Sequence, residues 1–378
     1  MKSILLTILF LSYIGCDKTI NSDRQLMTDD LKTIISQFES ELKSDLAKDS
    51  VDGSISAAII SENKIIWSKA FGYADRDNKI LADTTTIYRA ASISKSFTAF
   101  LMMQLVDEGI IKLTDPVELY LPEIRKLNGY SDSTRITFLQ LASHTSGLSR
   151  EPELTNANSG AIDEWERKLI ASIPTTYFES GAGTKYNYSN IGYGILGLAL
   201  SRATDKPFMQ LMQERVFVPL GMKRSFYVIR DETTTKLAVG MEGGLSKTLD
   251  TESPRAEHNG RGYKVPNGGI YSTPNDLAKF MISNLGYNPI LKRESLEIMQ
   301  TEKGPEPNKY GLGFMIFHND QISIVGHNGQ VLGYTSQFAF EKESKFGVIL
   351  MRNYTSGATD LDKASFILLS KLRQLKKQ

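Results

Sequence analysis

The chain is nearly without cysteine: Cys16 is the only one in 378 residues. A lone thiol excludes a disulfide framework and any multi-cysteine metal or redox centre. Histidine is almost as scarce. His144, His258, His318 and His327 lie far apart with no pair at metal-ligand spacing, so a zinc hydrolase is not expected. Net charge is missing too, because 44 Lys+Arg stand against 43 Asp+Glu, a balance of +1. A protein that tracks nucleic-acid phosphates needs a basic excess, and this chain has none. After the N-terminal stretch no apolar run is long enough to cross a bilayer. Gly-x-Ser-x-Gly occurs nowhere, which excludes the nucleophile elbow of an α/β-hydrolase. There is no internal repeat and no low-complexity tract. What remains is an ordinary globular composition, 41% hydrophobic and 23% charged, at a length for one large or two closely joined domains.

The first residues read as an address. Lys2 supplies a positive start, and residues 4–14 form an apolar run of signal-peptide length that ends at Tyr13-Ile14-Gly15-Cys16. This is similar to a bacterial lipoprotein signal, although Tyr13 stands where leucine is usual. The alternative is an ordinary secretory signal with an incidental cysteine. The lipoprotein reading makes residues 1–15 the signal, Cys16 the lipidated N-terminus, residues 16–29 a polar tether and residues 30–378 one domain. It implies a protein held at the cell envelope, on the periplasmic side or the outer surface, through lipid on Cys16.

In the remainder, Leu31, Ile34, Ile35, Phe38, Leu42 and Leu46 recur at helical spacing after Thr28-Asp29-Asp30. Residues 54–60 and 64–73 are β-rich runs around Ser61-Glu62-Asn63, which predicts a hairpin. A helix is expected from near Ser92 to Asp107-Glu108-Gly109, where the glycine stops it. Residues 115–288 read as helices and loops. Strand character returns at 322–325, 335–340 and 346–351, and a helix over 364–375 closes the chain. The pattern predicts an α+β fold: an antiparallel sheet formed by both chain ends and flanked by helices, plus a mostly helical middle region.

Three short motifs carry candidate chemistry. Ser92-Ile93-Ser94-Lys95 sets a hydroxyl and an amine one helical turn apart at a helix start. A desolvated lysine with a lowered pKa can take the serine proton and make it a nucleophile. The spacing alone is weak, since Ser40-Glu41-Leu42-Lys43 and Ser61-Glu62-Asn63-Lys64 share it and read as solvated surface. Tyr188-Ser189-Asn190 is the only Tyr-x-Asn in the chain. Its phenol, beside an ammonium, is expected to have a depressed pKa and to shuttle protons, and its amide to orient lysine and substrate. His327-Asn328-Gly329 follows the apolar run 322–325. There a glycine would admit substrate backbone to a strand edge, and His327 would supply a donor. His258-Asn259-Gly260 repeats those three letters inside a polar loop.

Together these residues resemble the serine β-lactamase and penicillin-binding protein superfamily, in its class C β-lactamase, DD-peptidase and esterase branch. Further matches are Leu113-Thr114-Asp115-Pro116-Val117, Leu141-Ala142-Ser143-His144-Thr145-Ser146-Gly147-Leu148 and Pro219-Leu220-Gly221-Met222. They continue in Asn267-Gly268-Gly269-Ile270-Tyr271-Ser272-Thr273, Tyr310-Gly311-Leu312-Gly313 and Gly326-His327-Asn328-Gly329. The resemblance covers residues 30–375 and implies a β-lactamase/transpeptidase-like fold. It implies Ser92 as the acylated nucleophile, Lys95 as its base partner and Tyr188 as the proton handler for leaving group and water. Asn190, His327 and Gly329 would meet substrate, and the backbone N–H groups of Ser92 and Gln330 would form the oxyanion hole. His144 is structural in that family pattern.

The departures bear on substrate. His327 stands where β-lactamases carry lysine, and Asn328 replaces a threonine that would bind a substrate carboxylate. Ala182-Gly183 stands where Pro-Gly is usual, and the class A signature Glu-x-x-Leu-Asn is absent. With a reference pKa near ~6.5, His327 is mostly neutral at neutral pH, and any turnover that needs its charge would rise as pH falls toward that value. The expectation is an exported serine hydrolase, monomeric and without cofactor or metal, acting on ester or amide bonds of small or peptidoglycan-derived substrates. Alternatives are a DD-carboxypeptidase or D-aminopeptidase, a class C-like β-lactamase, and a catalytically silent penicillin-binding sensor.

Overall fold

Leu31, Ile35, Phe38 and Leu42 fall on one stripe of the helix Asp29–Lys48, which the Thr28 hydroxyl caps, and all four are buried. The computed structural model describes residues 28–243, 249–287, 290–305 and 309–376. The expected signal, Cys16 and all but the end of the tether lie outside the described residues.

The strands are β1 Ser54–Ser61, β2 Lys64–Asp75, β3 Ile80–Leu81, β4 Tyr88–Arg89, β5 Tyr271–Ser272, β6 Met315–His318, β7 Ser323–Val331, β8 Tyr334–Glu341 and β9 Phe346–Arg352. Seven of them form a sheet in the order β3-β2-β1-β9-β8-β7-β6, while β4 and β5 make a separate pair. The pairing of β1 with β9, from Ile55↔Arg352 to Ser61↔Phe346, joins the two chain ends. All the pairings named here are antiparallel.

Both faces of the sheet are covered, so β1 and β9 are buried along their whole length. The outer face carries Ile55, Ile59, Ile324 and Leu350 against the helices Asp29–Lys48 and Leu361–Leu375. The inner face carries Ala58, Ile60, Val325, Phe338 and Phe340 against the helix Ser94–Asp107 and its neighbours. Alternation along β7 therefore turns His327 and Gly329 inward and Asn328 and Gln330 outward. Among the described residues of 115–288 the chain is helix and loop apart from β5. The expected α+β architecture is the observed one.

Three local expectations differ. His327-Asn328-Gly329 lies inside β7 rather than after it, because the tight return at Val331↔Tyr334 continues the ladder through low-propensity residues. β6 is an additional edge strand, too short at Met315–His318 for its period to be read. Ser61 is buried at the end of β1 rather than solvated.

Candidate active site

Ser92 sits in a 3-10 turn, Ala91–Ile93, that feeds the helix Ser94–Asp107. Ala91 is held at φ +49°, a left-handed conformation that costs about 1–2 kcal/mol in a non-glycine residue. Side-chain hydrogen bonds lock the start of the helix. Thr98 Oγ1 donates to Pro266 O at 2.6 Å, and Ile270 N donates to Ser94 Oγ at 3.2 Å. Ser92 is left partly exposed, and Lys95 is fully buried beneath it.

Lys95 Nζ lies 3.1 Å from Ser92 Oγ and 3.0 Å from the Asn267 carbonyl. Burial, reinforced by the positive charges of Lys264, Arg150 and Arg261 and opposed by Glu151, holds its ammonium well below the usual lysine range. The amine is thus available as a proton acceptor. Its nitrogen lies 4.8 Å from the centroid of the Tyr188 ring, which is partly buried. The Tyr188 phenol departs from the sequence expectation. Burial pushes it up to about 12, against a Ser92 hydrogen bond and the Arg150 charge that lower it. Burial of the phenol outweighs the hydrogen bond and the cation that favour its ionised form. Tyr188 is therefore a proton donor near neutral pH.

His144 buttresses that phenol. Its ring lies 4.2 Å from the Tyr188 ring, centroid to centroid, and its Nδ1 accepts the Ser189 N–H at 3.0 Å. Burial keeps it far below the usual histidine range, so it is neutral. The structural reading of His144 agrees with these contacts.

Asn190 opens the helix Asn190–Thr204, and its Nδ2 donates to Glu151 Oε1 at 2.6 Å. Glu151 also accepts from Tyr263 Oη and pairs with Lys264 Nζ at 3.1 Å. Burial raises the Glu151 carboxyl, but Lys264, Tyr263 and Asn190 outweigh it and hold the group below its ordinary value. Asn267 Nδ2 donates to Asn190 O at 2.7 Å, so one asparagine ties the Tyr188 loop to Lys95.

His327 is buried, with Nε2 3.0 Å from Tyr310 Oη and Nδ1 2.6 Å from the Asn328 carbonyl. A carbonyl only accepts, so Nδ1 carries the proton and Tyr310 donates to Nε2. Burial, with Lys95 nearby, pushes the imidazole down to about 3. Two expectations are corrected by this: His327 has no ring N–H free for substrate, and no charging step lies near ~6.5. Gly329 is also placed differently. A β-carbon there would lie 2.5 Å from Ala90 O and 2.9 Å from Ala91 Cβ, so the glycine admits the Ala91–Ile93 turn rather than substrate backbone. The edge of β7 is nonetheless free beyond β6. Gly326 pairs with Met315, and by alternation Asn328 and Gln330 present their N–H groups on that same side, where β6 has ended. Gln330 is exposed there.

The fold thus brings Ser92, Lys95, Tyr188, Asn190 and His327 to one cleft. Asn267, Tyr310 and Glu151 join them, although sequence reasoning assigned them no role. Asn267 and Tyr310 stood inside motif-like segments, and Glu151 follows Leu148 by three residues. That position is the only signal the sequence held for Glu151.

A family model described as Beta-lactamase matches residues 44–371. The chain is 29% identical over 353 residues to Beta-lactamase-like protein 4 of Dictyostelium discoideum, covering 86% of this chain and 60% of that protein. It is 26% identical over 328 residues to Protein flp of Staphylococcus aureus (strain MW2), covering 85% of this chain and 63% of that protein. The chain therefore spans about 60% of the length of these curated relatives. Among solved structures, the octameric penicillin-binding protein homologue from Pyrococcus abyssi superposes with a TM-score of 0.74 at 25% identity, over 90% of this chain and 77% of that one. The beta-lactamase/D-alanine carboxypeptidase from Yersinia pestis gives a TM-score of 0.71 at 25% identity, over 90% of this chain and 98% of that one.

Proposed function

The chain belongs to the beta-lactamase family, and from that membership we propose that it is a serine hydrolase working through an acyl-enzyme on Ser92. The observation that carries the reading is the buried Lys95 amine, 3.1 Å from the part-exposed Ser92 hydroxyl. In the proposed cycle, Ser92 Oγ attacks the substrate carbonyl and its proton passes to Lys95 Nζ. The backbone N–H groups of Ser92 and Gln330 hold the oxyanion. As the carbonyl bond to the leaving group breaks, Tyr188 protonates the leaving atom and recovers its proton from Lys95. Water then repeats the sequence on the acyl-enzyme, and Lys95 and Tyr188 end as they began.

The substrate reading favours esters or uncharged amides. A neutral His327 supplies no cation for a carboxylate, and Asn328 Nδ2 is already donated to Asp362 Oδ2 at 3.0 Å. The name of the Yersinia pestis neighbour supports a second reading, a D-alanine carboxypeptidase or β-lactamase. A silent sensor is disfavoured, because the three side chains that such a protein could lose are present and assembled.

Mass spectrometry after a fluorophosphonate and after penicillin, with turnover of p-nitrophenyl butyrate and nitrocefin, tests this. The expected result is fluorophosphonate labelling of wild type at Ser92, none in Ser92→Ala, and ester turnover well above nitrocefin turnover. Labelling at another serine, Ser146 for instance, would remove the assignment. Efficient nitrocefin hydrolysis without esterase activity would promote the β-lactamase reading.

A further inference from the structure

Residues of β6, β7 and β8 line a groove of about 530 Å³ on the outer side of the sheet. Small residues give it depth, since Gly326 on β7 stands opposite Ala339 on β8 in its floor. One end is walled by Phe317, whose ring meets Phe366 of the C-terminal helix edge-on at 5.2 Å. The other end reaches Tyr186, Tyr310 and His327.

The helix Leu361–Leu375 supplies the negative charge along this groove, and the cation beside Tyr188 on the cleft side is the exposed Arg150 guanidinium, 4.9 Å from the Tyr188 centroid. Asp362 accepts the Asn328 amide at 3.0 Å, and Phe366 follows one turn later on the same helix face. A carboxylate therefore stands at the end beside the catalytic cleft and a ring stands at the far end. Lys309 Nζ belongs to the far end, 5.8 Å from the Phe317 centroid. Phe317 pairs with Ile324, four residues and about 13 Å of strand from Asn328, so the ammonium does not cancel Asp362 at the cleft. Arg352, beyond Asn328, is committed to the carbonyls of Tyr354, Thr359 and Thr355.

The direction along β7 says which part of a substrate enters. Gln330, read above as an oxyanion donor, lies to one side of Asn328, and His327 and Gly326 lie to the other. Tyr188, read as the proton donor to the leaving group, is on the His327 side, with ring centroids 6.3 Å apart. We propose that the groove receives the leaving-group portion of the substrate, and that Asp362 restricts it to apolar leaving groups bearing no carboxylate. The proposal rests on the Ser92 acyl-enzyme reading. For an aryl ester, the acyl–oxygen bond breaks and the phenoxide takes the Tyr188 proton. The resulting phenol leaves through the groove while the acyl group stays on Ser92.

Three acetate esters that share one acetyl-enzyme test it: phenyl acetate, 2-naphthyl acetate and 4-acetoxybenzoate, with kcat/KM corrected for intrinsic reactivity. Wild type should prefer 2-naphthyl acetate and disfavour 4-acetoxybenzoate by about tenfold relative to phenyl acetate. Asp362→Asn should raise the 4-acetoxybenzoate to phenyl acetate ratio about threefold or more, as expected for one exposed charge. Phe317→Ala should lower the 2-naphthyl to phenyl ratio by a similar factor. Wild-type ratios in both variants, with ester turnover and Ser92 labelling intact, would overturn the groove alone. No ester turnover and no fluorophosphonate labelling of wild type would overturn the hydrolase reading and this proposal with it.

Discussion

Lys95 is packed between rings, with Nζ 4.8 Å from the Tyr188 centroid and 5.8 Å from that of Tyr193. The neutral form is the one that accepts a proton, so kcat/KM should fall as pH drops through the lowered lysine pKa. Tyr188, raised to about 12, should leave the alkaline side flat, and His327, at about 3, should add no step. His144 is the control. Its imidazole is neutral and touches Tyr188, so His144→Ala should lower turnover about tenfold or more by loosening the phenol. The acid limb should stay where it was. A limb that shifts by more than about one unit, measured on the same ester, would make His144 a proton carrier instead of a positioning residue.

At the scale of elements, the site depends on how closely β7 packs on the Ala91–Ile93 turn. Gly329 has no side chain because the space is filled by Ala90 O and Ala91 Cβ, and Ser336 Oγ lies 2.5 Å from where its β-carbon would be. Gly329→Ala should push the Ala91–Ile93 turn, and Ser92 with it, off β7. It should cost about 1–3 kcal/mol, the usual range for overpacking, and reduce turnover at least tenfold. Urea denaturation together with ester kinetics checks both. Wild-type kinetics in a destabilised variant would show that the turn relaxes without moving Ser92. The sequence pointed to this glycine as part of a motif, yet its reason was not legible there. Ser336 is a near neighbour in sequence, but the two alanines that crowd Gly329 are more than two hundred positions earlier in the chain.

For the whole molecule, burial leaves imidazoles that resist protonation. His327 is held near about 3 and His258 near about 4, each chiefly by burial, and His144 is held low by burial as well. Their folded pKa values lie below the unfolded value of ~6.5, so below that pH the unfolded chain binds protons that the folded chain does not. Stability should therefore be full above ~6.5 and fall on acidification, by about 1.4 kcal/mol per pH unit for each such histidine. His327→Gln should flatten the fall by about that amount between pH ~6 and ~4. Urea midpoints at several pH values measure it. An acid dependence identical to wild type would mean that His327 does not stay neutral in the folded protein.

The sequence by itself determined the family, the order of its three motifs, the α+β architecture and most strands and helices of the sheet. These features are local: a stripe of apolar residues such as Leu31, Ile35, Phe38 and Leu42, or a serine and lysine one turn apart, is complete within one segment. Only the tertiary structure decided the protonation and direction of the side chains. Lys95 is held well below the usual lysine range because the core buries it beside Lys264 and Arg150, and His327 is neutral chiefly because the core buries it. Asn328 is turned to Asp362 because β7 continues through it and the C-terminal helix begins beside it. Desolvation and charge act through space between segments far apart in the chain, and no short motif records them.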